Sequence, residues 1–229
     1  MIAAPFGGSA RRRTTARRPP RQPPRMTRAS ATATARDALR RDLRAQRAAL
    51  SAGERVAAAQ ALVAQIERIP GFLTAPRIAG YWATDGELPL AALPGGVHAR
   101  GQHWYLPVVR PHRQLWFAPW QVGAPLATNR FGIPEPVCAA EQMVPAPELD
   151  IVLVPLLGFD RHGHRLGFGG GYYDRSFAFL RERAAAARPL LVGIGYALQE
   201  LPALAAQAWD VRLDYVATER ELIRCAAAG

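Results

Sequence analysis

The run "DIVLVP" (residues 150–155) constrains the fold more than any other stretch of this chain. Branched apolar residues in unbroken succession suit a strand covered on both faces, the kind found in parallel sheets between layers of helix. The flanking sequence supplies the helices. "RDALRRDLRAQRAAL", from Arg36, places Leu39, Leu43 and Leu50 near one helical face. "SAGERVAAAQALVAQIERI" follows, with Ser51 as N-cap and Glu54 three positions later to complete a capping box. Pro70-Gly71 ends that helix. "RIAGYW" (77–82), "HWYLPVV" (103–109), "QLWFAPW", "LLVGIGY" (190–196) and "VRLDYVAT" read as further strands. A short helix is expected around "LPLAAL", another from about Tyr172 through Ala187, and a last one after the final strand. This alternation predicts a single α/β domain with a mainly parallel sheet over residues 34–229.

Residues 1–33 are of another kind. They are rich in Arg, Pro, Thr and Ala, lack apolar periodicity and are expected to be disordered, because little apolar surface is available to offset the entropy of ordering. The formal charge of +11 is concentrated there: eight arginines fall within residues 11–28, where no acid occurs. Of the 29 basic residues, 21 remain beyond that stretch against 18 acids, and no continuous basic patch with interleaved aromatics stands out. A nucleic-acid partner is therefore not expected. The acid-poor N-terminus imitates a transit peptide, but its prolines oppose an amphipathic helix, and Met26 offers an alternative start. An over-extended or dispensable tail is the expected reading. No apolar run approaches a membrane span. The two cysteines, Cys138 and Cys225, lack metal-ligand spacing and suit a reducing cytoplasm.

Directly after the buried strand comes "GFDRHGHRLGFGGGYYDR" (158–175), with six glycines, two histidines, two tyrosines and five charged residues in eighteen positions. A strand, a glycine loop and a helix together present backbone N–H groups to an anion. A P-loop needs a lysine, and the chain has none; the dinucleotide fingerprint needs a glycine where Tyr172 stands. On the glycines alone, a phosphate cradle and a purely structural turn both stay open. Asp174 is positioned either to hold Mg²⁺ beside a phosphate or to interact with the helix dipole. His162 and His164, without a third ligand nearby, read as a solvated loop.

"LLGFDRHGHRLGFGGGYYDR" closely resembles a sequence characteristic of the 5-formyltetrahydrofolate cyclo-ligase family. The resemblance extends over nearly all of residues 36–225, through "DGELP", "GIPEP" and "LDYVATE". It implies a three-layer α/β/α, Rossmann-like fold. It also implies ATP- and Mg²⁺-dependent cyclisation of 5-formyltetrahydrofolate to 5,10-methenyltetrahydrofolate, through a phosphorylated formyl intermediate. Arg36, Arg40 and the run Arg165, Leu166, Gly167, Phe168, Gly169, Gly170, Gly171, Tyr172 and Tyr173 match ATP-binding positions. Trp82 and Glu87 match folate-contacting positions, and Gly169 to Tyr173 approach the folate too. Asp174 and Asp214 match the Mg²⁺ carboxylates. Arg165 is assigned to neutralise transferred charge, and Tyr172 to pack on or hydrogen-bond the substrate. Phe168 and Gly170 are uncharged where some members carry a cation. The implied substrate is a folate with one or several glutamates, handled by a cytoplasmic monomer without nucleic-acid or membrane partners.

Overall fold

A computed structural model describes Met1, residues 28–181 and residues 188–226. The expected disorder of residues 1–33 falls mostly outside the described residues; at its end, the first helix already begins at Arg28. Helix α1 spans Arg28–Ala48 and α2 spans Ala52–Glu67. The Ser51 capping box forms: its Oγ accepts the Glu54 N–H at 3.3 Å, while the Glu54 carboxylate accepts the Ser51 N–H at 2.8 Å. Ala58, Leu62 and Ile66, four apart, form the buried face of α2.

Twelve strands follow: β1 (Arg77–Ala79), β2 (His103–Arg110), β3 (Gln114–Pro119), β4 (Leu126–Thr128), β5 (Pro134–Pro136) and β6 (Val144–Pro145). The remainder are β7 (Ile151–Pro155), β8 (Gly158–Phe159), β9 (Arg165–Leu166), β10 (Leu190–Ile194), β11 (Tyr215–Ala217) and β12 (Leu222–Arg224). Eight form one sheet in the order β12-β11-β10-β7-β1-β2-β3-β6. Its centre, β11 through β2, is parallel, and antiparallel strands lie at both edges. β4 with β5 and β8 with β9 form two small hairpins.

The apolar run of β7 is explained by two cores. Ile151 and Leu153 face one side with Ile78, Trp104, Val192 and the buried face of α2. Val152 and Val154 face the other with Ala79, Tyr105, Leu191, Phe177 and Leu180. Each such side chain, fully buried, contributes about 1.5–3 kcal/mol of transfer free energy. Gly80 continues β1 where a Cβ would lie 2.0 Å from the Trp104 ring, so no larger residue fits.

Several expected elements differ. Strand β1 is shorter than the 77–82 run. Around "LPLAAL" the chain buries Leu88 and Leu90 without helix, and α3 (Leu93–Ala99) starts later, with Pro94 in its first turn. The helix expected from Tyr172 through Ala187 is only α4 (Tyr172–Ser176), followed by a 3₁₀ turn at Ala178–Leu180; residues 182–187 lie outside the described ones. Among the described residues no helix follows β11. The Thr218 hydroxyl accepts the N–H groups of Arg220 and Glu221, reversing the chain into the β11–β12 hairpin.

From β1 the chain steps to β2 on one side, then returns to β7, β10 and β11 on the other. The order thus reverses between β1 and β7. In open α/β sheets, ligands bind beyond the carboxyl ends of strands at such a point. Among the described residues no helix is long and apolar enough to cross a membrane.

Candidate active site

A cleft of about 1020 Å³ opens at that position, lined by Tyr81 and Trp82 beyond β1, Pro107 and Val109 in β2, and Pro155 ending β7. The glycine loop, Gly167 to Gly171, forms one wall together with Arg36, Arg40, Arg165, Asp174 and Asp210. Trp82, Glu87, Phe131 and Glu135 also line it, beside Tyr172 and Tyr173. The structure therefore brings together all but two of the residues expected at the site.

The glycine loop is held from several directions. Gly169 and Gly171 take left-handed φ values of 100° and 68°, a region that costs any residue with a Cβ roughly 1–2 kcal/mol. Arg40 donates through Nε to the Gly167 carbonyl at 2.9 Å and through Nη1 to Asp37 at 2.6 Å. Arg36 reaches the Ala205 carbonyl at 3.1 Å and the Asp210 carboxylate at 3.4 Å. Each of these α1 cations beside the loop thus has a carboxylate partner, Asp210 for Arg36 and Asp37 for Arg40.

Arg165 is almost buried and donates to Asp174 and to the Val211 carbonyl. The same oxygen of Asp174 accepts the Val211 N–H at 3.2 Å. A hard carboxylate oxygen beside a cationic loop suits Mg²⁺, which takes one or two carboxylates plus phosphate oxygens and water. Among the described residues no group of three or more His, Cys, Asp or Glu side chains is arranged for a metal. The Asp174 carboxylate on the cleft lining is chemically suited to such a cation.

Asp214 is not on this wall. Its carboxylate accepts the Leu191 N–H at 2.7 Å, tying the segment before β11 to the start of β10. The structure thus does not place the two expected metal carboxylates together on the cleft. Leu166 is the other exception: it is fully buried, because β8 and β9 pair and turn it inward.

The rest of the lining is aromatic and acidic. Trp82 stands edge-on to Trp120, with ring centroids 6.0 Å apart. Tyr172 meets Phe131 edge-on at 5.9 Å, and its hydroxyl lies 3.4 Å from Arg130 Nη2. Glu87 receives the Thr84 N–H at 2.8 Å. Burial pushes its carboxyl up to about 7, against the opposing effects of the Thr84 bonds and Arg47. Burial likewise raises the Tyr173 phenol well above its ordinary range, with the Glu87 carboxylate adding to the shift.

Sequence reasoning missed Glu135, Trp209 and Asp210 as cleft residues. Glu135 accepts the Val109 N–H at 2.9 Å and the Asn129 Nδ2 at 2.7 Å, so it joins the β4–β5 hairpin to β2. The only local signal was its place in "GIPEP". His162 and His164 lie apart from the cleft; where a solvated loop was expected, the buried Asp160 carboxylate accepts both their N–H groups and bonds the His164 ring.

Over residues 32–219 the chain matches the model of the 5-formyltetrahydrofolate cyclo-ligase family. A 5-formyltetrahydrofolate cyclo-ligase of Haemophilus influenzae is 33% identical over 180 residues, covering 78% of this chain and 94% of that protein. The one from Escherichia coli is 30% identical over 178 residues, 77% of this chain and 96% of its own. The solved structure of Aquifex aeolicus 5,10-methenyltetrahydrofolate synthetase aligns with a TM-score of 0.72 at 29% identity, over 85% of this chain and 94% of that one. A 5,10-methenyltetrahydrofolate synthetase from Mycoplasma pneumoniae shares the fold, with a TM-score of 0.63 at 24% identity, over 80% and 98%.

Proposed function

We propose that this chain, which belongs to the 5-formyltetrahydrofolate cyclo-ligase family and is a ligase with 5,10-methenyltetrahydrofolate synthetase activity, draws on ATP and Mg²⁺ for that reaction. 5-Formyltetrahydrofolate is closed to 5,10-methenyltetrahydrofolate, and ADP and phosphate leave. The observation that carries this reading is a single cleft lined both by a glycine loop with Arg36, Arg40 and Arg165 and by Trp82, Glu87 and Tyr172. Its volume of about 1020 Å³ lies at the upper end for a single small-molecule pocket, in keeping with two ligands meeting there.

The chemistry follows from the substrate. A formamide oxygen is a poor leaving group, so it first attacks the γ-phosphorus of ATP, and ADP departs. N10 then attacks the activated formyl carbon. Phosphate leaves with the former formyl oxygen, and N10 loses its proton. Phosphoryl transfer asks mainly for positioning and charge stabilisation. The loop N–H groups and Arg40 suit the triphosphate, and Arg165 suits the transferred charge. Glu87, with a carboxyl that titrates near neutrality, suits receipt of the N10 proton. Tyr172 packs on the folate. Mg²⁺, when bound, would be held by Asp174 and would supply positive charge to the triphosphate.

We place the reaction in the cytoplasm, carried out by a monomer on folates bearing one or several glutamates, without nucleic-acid or membrane partners. The test is the near-ultraviolet absorbance of protein mixed with 5-formyltetrahydrofolate, ATP and Mg²⁺. The long-wavelength band of the methenyl product should grow only with ATP and be lost in Asp174→Ala. Folded protein that forms no band would overturn the substrate assignment, and ADP release with other acceptors would then be measured.

A further inference from the structure

Arg47 belongs to none of the residue sets expected from the sequence. It lies on α1 and is 1% exposed. Its Nη2 donates to the Asp85 carbonyl at 2.5 Å and to the Asp85 carboxylate at 3.1 Å. Asp85 and Gly86 have φ values of 49° and 75°, the centre of a turn closed by the Glu87 N–H on the Thr84 carbonyl at 2.9 Å. Arg47 therefore holds the turn that presents Glu87. Its guanidinium carbon also lies 5.6 Å from the centroid of the Phe168 ring, with Arg44 at 5.8 Å from the same ring. Phe168 is part of the glycine loop. One side chain thus contacts both the turn before Glu87 and the glycine loop.

Fold stability accounts poorly for a cation at this position. Its Nε and Nη1 have no hydrogen-bond partner among the described residues, and Asp85 is 64% exposed. Desolvation offsets most of what one such pair contributes, and an apolar residue of similar volume often serves as well or better. A guanidinium does what an apolar residue there could not: it grips a carbonyl and a carboxylate while its face meets an aromatic ring.

We propose that Arg47 is a positioning residue, which fixes the Glu87 turn and the glycine loop relative to one another so that two ligands bound at these two parts of the cleft lining meet in reacting geometry. The inference rests on the assignment of folate and nucleotide to those two parts. It predicts a split between binding and turnover. In Arg47→Lys, which keeps the charge and loses the planar fork, kcat should fall about tenfold or more. Binding of 5-formyltetrahydrofolate alone and of a non-hydrolysable ATP analogue alone should stay within about twofold.

The experiment compares wild type, Arg47→Lys, Phe168→Leu and the double variant by steady-state kinetics, single-ligand binding and hydrogen exchange without ligands. Residues 84–87 and 167–171 should lose protection together in Arg47→Lys, and the double variant should turn over no more slowly than Arg47→Lys alone. Wild-type kcat in Arg47→Lys, exchange raised in one segment only, or additive losses in the double variant would overturn the proposal. Wild type without turnover, while both segments still loosen together in the variant, would instead remove the ligase reading and leave the link standing. Should Arg47→Lys not fold, Phe168→Leu carries the test: raised exchange at residues 84–87 supports the link, and unchanged exchange there removes it.

Discussion

Arg165 and Asp174, nine residues apart, are locked together at the mouth of the glycine loop, and Val211 completes the lock by donating its N–H to Asp174 and accepting from Arg165. The pair encloses the loop between its two ends. Both bonds to Asp174 fall on the same carboxylate oxygen, Oδ1.

This pairing makes Asp174→Asn and Arg165→Ala differ in kind. Asp174→Asn keeps a hydrogen-bond acceptor and should lower kcat by about 10²-fold or more, with a modest change in stability. Arg165→Ala leaves a partly buried carboxylate without its cation, a change that costs about 3–5 kcal/mol in such pairs. Urea denaturation beside single-turnover rates separates the two. Equal destabilisation would remove the argument from burial.

Glu87 should set the acid limb of the pH profile. Its folded value of about 7 exceeds the ordinary 4.5, so between those values the native state holds a proton that the unfolded state has released. Stability therefore falls as pH rises from about 4.5 to about 7, by at most about 3 kcal/mol. Over the same range kcat/KM should rise as the carboxylate forms, with a midpoint near 7. Glu87→Gln should flatten the stability slope and abolish the acid limb. Both are read by Tm and initial rates from pH 5 to 8.

Arg40 contacts the loop through the Gly167 carbonyl and stands beside the expected triphosphate. Arg40→Met should raise the KM for ATP about tenfold or more and leave the KM for folate nearly unchanged. A parallel rise in both would show that Arg40 supports the whole cleft rather than the nucleotide wall.

Gly171→Ala places a Cβ at φ 68°, 2.6 Å from the Arg175 guanidinium. The strain should lower stability by about 1–2 kcal/mol and disturb the loop. Ser51→Ala removes only the α2 cap and should lower stability by about 1 kcal/mol without changing kcat. Thermal denaturation and turnover of the two variants, side by side, distinguish a loop whose conformation matters to the reaction from one that is merely permissive.

How much of this was legible in sequence depends on the range of the interactions involved. The continuous apolar run of β7 announced a strand buried on both faces, because no other element hides successive side chains in opposite directions. The capping box of Ser51 and Glu54 needs only three residues of spacing, and it formed as written. The glycine loop was equally plain, and several motifs together resembled those of the family. Other features required the chain to close on itself. The Asp214 carboxylate accepts the Leu191 N–H only because β10 and β11 pair in parallel, a contact that no local spacing reveals. Leu166 sat among loop residues, yet the β8–β9 hairpin turned it inward. Glu135 and Arg47 reach their partners 26 and 38 residues away through folded backbone alone. Local spacing and periodicity thus determined the two long N-terminal helices, the central strands and the place of the glycine loop. Only the tertiary structure decided which carboxylates face the cleft, which serve the backbone, and which buried cation joins the Glu87 turn to the glycine loop, because a charged side chain's role follows from the groups that desolvate and pair with it.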